Sequence, residues 1–179
     1  MFTADRSVLL VIDVQGKLAS LMYERDRVVK NIQAMIKAAQ ILDIPILWTE
    51  QAPEKLGPTI DEIASLLHYL KPIPKKAFSC YLEKTFVSAL RKTKRNQAIV
   101  AGIEAHVCVY QTVVDLVAQK YEIQVVTDAV SSRTKENKDL ALERIRSAGA
   151  TLTAAEMIIC ELLRTSEHKN FKEVLNLIK

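Results

Sequence analysis

The feature that most limits this chain is a series of near-continuous apolar runs set between stretches of helical period. Ser7 to Asp13, Ile44 to Thr49, Ala98 to Gly102 and Glu122 to Thr127 read as strands. A strand that is apolar on both faces must be covered on both, which is the mark of a parallel sheet with helices above and below. Between these runs, Glu24 to Leu42 places Val28, Ile32, Met35, Ile36 and Ala39 at the 3.6-residue spacing of a helix. Leu82 to Lys92, Val109 to Lys120 and Thr134 to Ala148 follow the same rule, the last closed by Gly149. The remainder is weaker. Glu50 to Thr59 reads as a loop, followed by a short helix near Asp61 to Leu67. Leu70 to Pro74 gives a third strand blurred by two prolines, Ala150 to Thr153 a short sixth, and two helices finish the chain. The expectation is an α/β fold, a three-layer α/β/α sandwich with a six-stranded parallel sheet, as one domain over residues 1–179. In the order 3-2-1-4-5-6, strands 1 and 4 are neighbours and a crevice opens between their carboxyl ends.

That topology gives meaning to three residue types far apart in the chain. Asp13 ends the first strand, and Cys108 stands where the fourth strand turns into a helix. Free backbone N–H groups and the helix dipole at such a turn favour an anion, so the expectation is a thiol that ionises below its usual pKa of about 8.5. A buried, inert cysteine is the alternative. Asp13 is either a structural cap or a general base for the thiol proton. Lys75 and Lys76 follow the third strand, and an ammonium drawn into the crevice would favour both anions.

Bulk properties narrow the function classes. A net charge of +4 is mild, and the one basic cluster (Arg91, Lys92, Lys94, Arg95) has no interleaved aromatic residues and suits a helix C-terminus better than nucleic acid. No apolar run approaches the roughly 20 residues of a membrane span. Asp5 and Arg6 precede the first strand with no signal-peptide pattern. Three widely spaced cysteines (Cys80, Cys108, Cys160) do not form a disulfide framework. A cytoplasmic location and no nucleic-acid or membrane partner are expected. The apolar C-terminal helices (Met157 to Leu163, then Phe171, Val174, Leu175 and Ile178) suggest an oligomer interface, in a dimer or larger assembly.

Three segments together, Val-Ile-Asp13-Val-Gln15, Lys75-Lys76-Ala77-Phe78-Ser79 and Gly102-Ile103-Glu104-Ala105-His106-Val107-Cys108, resemble the isochorismatase-like cysteine hydrolases. Thr49-Glu50-Gln51, Leu56-Gly57-Pro58-Thr59 and Thr127-Asp128-Ala129 extend the likeness to essentially the whole chain, most of all to the isochorismatase-domain-containing branch. The resemblance implies an Asp–Lys–Cys triad of Asp13, Lys75 and Cys108. The lysine is selected because it stands three residues before the aromatic-Ser pair. It also implies a cis peptide at Ile103–Glu104 and an oxyanion hole formed by the N–H groups of Glu104 and Cys108. The implied reaction is hydrolysis of a small amide-type carbonyl through a thioester. Gln15, Gln51 and Phe78 are expected to bind substrate, with Trp48 either pocket or core. Nicotinamidase-type relatives carry an Asp-x-His metal cluster where this chain has Thr49-Glu50-Gln51, and His68, His106 and His168 have no ligand spacing. No metal or other cofactor is expected, and His106 reads as a polar turn residue. A binding or scaffold protein of the same fold, or a redox-sensitive thiol protein, are the alternatives.

Overall fold

The computed structural model describes residues 1–178, so position 179 of the expected domain lies outside the described residues. The first half of the chain runs β1 (Ser7–Ile12), α1 (Gly16–Ser20), α2 (Arg25–Ile41), β2 (Ile46–Gln51), α3 (Pro53–Leu56), α4 (Asp61–Ala64) and β3 (Ile73–Lys75). The second half runs α5 (Lys84–Lys92), β4 (Gln97–Ile103), α6 (Tyr110–Ala118), β5 (Glu122–Ser131), α7 (Lys135–Ser147), β6 (Thr151–Thr153), α8 (Ala155–Leu163) and α9 (Phe171–Leu175). The six strands form one parallel sheet in the order β3-β2-β1-β4-β5-β6.

Every residue of β1 is buried, as its unbroken apolar sequence requires. Leu9 and Val11 point into the core under α2 and α8, while Val8, Leu10 and Ile12 point into a second core under α5, α6 and α7. The period-2 alternation of β1 therefore divides the hydrophobic interior into two layers. Most of the apolar C-terminal surface belongs to the first layer: Ile158, Ile159, Leu162, Leu163 and Val174 are buried, and only Met157 of that set is strongly exposed. This corrects the reading of those helices as a spare interface.

Two departures from the sequence expectation bear on function. The third strand extends to Lys75 instead of ending at Pro74, so the lysine is a strand residue fixed by pairing with Gln51. β5 continues to Ser131, beyond the expected Thr127, through a register shift at the β4 pairing between Val100 and Gly102. Within this bulge Val126 and Ala129 stay in the core, and Asp128 Oδ1 accepts from the Ala155 N–H at the start of α8 (2.9 Å). Val130 and Ser131 then resume pairing with β4 and lead Arg133 to the carboxyl edge of the strands. Gly102 has φ +120°, and a Cβ there would stand 2.1 Å from the Ile12 carbonyl oxygen. Only glycine lets β4 and β1 end so close together.

Candidate active site

Asp13 is the first residue past β1 and turns into the left-handed region (φ 51°). Its N–H donates to the Thr49 carbonyl (3.2 Å), and its Oδ1 accepts the Thr49 hydroxyl proton (2.7 Å). Neighbouring strand ends thus aim the carboxylate. Its Oδ2 lies 2.6 Å from Lys75 Nζ in an ion pair that is almost wholly buried. The short, dry contact couples the two charges tightly.

Lys75 Nζ is held from several sides. It donates to Gln51 Oε1 (2.7 Å), the Phe78 carbonyl (3.1 Å) and the Ala77 carbonyl (3.2 Å). Cys108 Sγ stands 3.5 Å from the same nitrogen. Lys76, in the bend just past the strand, is exposed. The last strand pairing, Lys75 with Gln51, therefore separates the two lysines. Burial pulls the Lys75 ammonium down, but the negative charges of Asp13 and of the nearby sulfurs outweigh it, and its pKa is raised.

Cys108 sits in a π-helical turn, Ala105–Val109, that joins β4 to α6. The peptide bond before Glu104 is cis. The thiol is buried and pushed up to about 12, first by burial, then by the Asp13 charge, with Lys75 pulling the other way. The expectation of a depressed thiol pKa is therefore overturned. A helix start favours a thiolate only where the sulfur faces solvent or cations alone, and here a carboxylate shares the enclosure. At neutral pH the sulfur keeps its proton. It can become a thiolate by handing that proton to Asp13, a transfer that leaves the net charge of the enclosure unchanged. Cys80, buried nearby against Thr49, is pushed up to about 11, chiefly by burial and secondly by Asp13.

The other expected residues take different places. Gln15 is fully buried, and its amide is occupied by the backbone of Gln51 (3.1 and 2.6 Å) and the Gly57 carbonyl (2.7 Å). It ties the end of β2 to the following loop and has no free group for a substrate, which corrects that expectation. Gln51 borders the cavity while holding Lys75 through Oε1 and the Lys76 carbonyl through Nε2. Phe78 is on the rim and 53% exposed. Trp48 belongs to the core under α2. His106 Nδ1 pairs with Ser132 Oγ (2.9 Å), outside the Asp13–Lys75–Cys108 group. The Glu50 carboxylate is occupied by the N–H and hydroxyl of Thr59.

Asp13 and Cys108 open into a cavity of about 280 Å³ that Leu18, Leu56, Ile103 and Val107 also line, with Glu104 and Arg133 on its polar side. Arg133 Nε donates to Glu104 Oε2 (3.0 Å). The sequence carried no sign of Arg133, because its place depends on the β5 bulge. A larger groove of about 540 Å³ runs along the outer face of α5 past Tyr81, Leu82 and Arg91, and is lined by none of Asp13, Lys75 and Cys108.

Residues 7–157 match the isochorismatase domain. The chain belongs to the isochorismatase family. Isochorismatase domain-containing protein 2 of Danio rerio is 37% identical over 172 residues, which cover 96% of this chain and 86% of that protein. Among solved structures, the MAR1 ribonuclease from Caenorhabditis elegans is 37% identical with a TM-score of 0.91, over 99% of this chain and 91% of that one. The YcaC gene product of Escherichia coli, described as an octameric hydrolase of unknown specificity, is 26% identical with a TM-score of 0.91, over 99% and 88%. Membership of the isochorismatase family makes this protein a hydrolase of that kind. Among the described residues, no helix of this family member is long and apolar enough to cross a membrane.

Proposed function

We propose that this isochorismatase-family hydrolase cleaves a small amide-type carbonyl compound through a Cys108 thioester, with Asp13, Lys75 and Cys108 as its triad. What supports the reading is the convergence of the three groups, a carboxylate oxygen 2.6 Å and a sulfur 3.5 Å from the same ammonium, with Asp13 and Cys108 lining one cavity. The thiol proton passes to Asp13, and Lys75 compensates the thiolate. The sulfur attacks the carbonyl carbon. The oxyanion falls to the N–H groups of Glu104 and Cys108; that of Glu104 has no backbone acceptor among the described residues. As the C–N bond breaks, Asp13 returns its proton to the leaving nitrogen. Asp13 then deprotonates a water that hydrolyses the thioester, and the proton ends on the sulfur.

Nucleic acid stays outside this reading. The basic cluster from Arg91 to Arg95 precedes β4, whereas the cavity opens past its end. At about 3.3 Å per residue the seven-residue strand separates them by roughly 20 Å. We place the protein in the cytoplasm as a homo-oligomer acting on a small molecule without a cofactor.

The test is a panel of primary amides and ureido compounds, with amine release followed on the millisecond scale and the protein weighed by mass spectrometry. The expected result is a first-turnover burst of one equivalent, an acyl adduct on Cys108, and no turnover by Cys108→Ala. Undiminished hydrolysis by Cys108→Ala would sink the reading.

A further inference from the structure

The cavity wall itself restricts the substrate. Five of its ten lining residues are apolar: Leu18, Leu56, Phe78, Ile103 and Val107. The polar ones are largely engaged already. Gln51 holds Lys75 and a backbone carbonyl, and Glu104 accepts from both the Nε and the N–H of Arg133 (3.0 and 3.3 Å). What remains is the thiol and the Asp13 carboxylate paired with Lys75, which do the chemistry, and the terminal nitrogens of Arg133 at the solvent edge. An anion brought to those nitrogens would share one guanidinium with the Glu104 carboxylate and meet its repulsion. An apolar substituent meets no such penalty. It would cover Phe78 and Leu56, which are 53% and 38% exposed, and remove their surface from water.

Building on the hydrolase reading above, we propose that the cavity selects an uncharged amide whose body is a branched aliphatic or aryl group seated against Leu18, Leu56, Phe78 and Val107. At roughly 30 Å³ per water-sized group, a cavity of about 280 Å³ takes a molecule of about nine heavy atoms. Phe78 is the lid of that subsite. Its carbonyl is tied to Lys75 Nζ, so the ring is mounted on the catalytic lysine's own anchor. Carboxylate-bearing amides of equal size are the disfavoured class.

Two affinity labels of matched shape separate the classes without depending on turnover. N-(3-methylbutyl)chloroacetamide ends in an isopropyl group, and N-chloroacetyl-β-alanine ends in a carboxylate of nearly the same size. In each, the Cys108 sulfur displaces chloride at the chloromethyl carbon while the thiol proton leaves through Asp13 to solvent. Rates are measured on the intact protein, each divided by that label's rate with 2-mercaptoethanol. Peptide mapping distinguishes Cys108 from the exposed Cys160. The expected result is saturable alkylation of Cys108 by the isopropyl label, about tenfold or more faster than by the carboxylate label. Leu56→Ser should remove most of that preference while the carboxylate label's rate holds. Equal rates, a faster carboxylate label, or a preference untouched by Leu56→Ser would overturn the substrate class while leaving Cys108 as the nucleophile. No adduct on Cys108 from either label would overturn both readings.

Discussion

At the scale of single residues, the distinctive property of the site is a thiol held in its neutral form first by burial and then by the carboxylate proposed to activate it. Asp13→Asn leaves the effect of burial but removes the charge that, after it, raises the Cys108 pKa, and leaves Lys75 unopposed. The expected outcome is a divided one. Amide hydrolysis falls by about 10²- to 10⁴-fold for want of a base, while the pH midpoint for alkylation by iodoacetamide moves down. A midpoint that stays or rises would show that Asp13 does not act on the sulfur. The two buried thiols also make stability pH-dependent. Cys108 and Cys80 have folded pKa values of about 12 and about 11 against an ordinary 9.0. Above pH 9 the unfolded chain releases these protons and the folded chain keeps them. Stability is therefore lost as pH rises, approaching a tenfold fall in the folding constant per pH unit for each thiol. Urea midpoints between pH 9 and 10 should show this, and Cys80→Ala should lessen the slope by one proton.

At the scale of elements, the cleft depends on β1 and β4 approaching without a side chain between their ends. Gly102→Ala forces a methyl into the Ile12 backbone at a φ that alanine avoids. The expected cost is more than about 4 kcal/mol, read as a collapse of the urea midpoint or as insoluble protein. Substitution with no loss of stability would mean the strands can part freely. The order of strands and helices was legible because the apolar runs and the long helices repeat for several turns. Helices α1 and α3, of five and four residues, were not, since a single turn carries no period. The prolines near β3 hid the pairing that places Lys75 inside the strand. The positions of Asp13 and Cys108 at one crevice followed from topology, whereas the direction of the thiol's pKa did not. Burial and the carboxylate beside the sulfur are three-dimensional facts. Arg133 and the Thr49 hydroxyl escaped notice for the same reason.

At the scale of the whole molecule, exposed Leu82, Leu140, Met157 and Leu21 leave apolar side chains on several faces. The Escherichia coli relative is octameric. The expected outcome in sedimentation velocity at micromolar concentration is a closed assembly of several chains; a monomer across the range would refute it. One more consequence follows from the sulfur's resting state. Peroxide attacks thiolates, and oxidation tracks both ionisation and access. Under the proposed mechanism a buried sulfur that keeps its proton at rest is a poor target for oxidants, so the expected outcome under peroxide is a Cys108 that stays reduced when thiols of low pKa are oxidised. Burial, with the carboxylate behind it, would thus make the proposed nucleophile slow to awaken and give it a long working life.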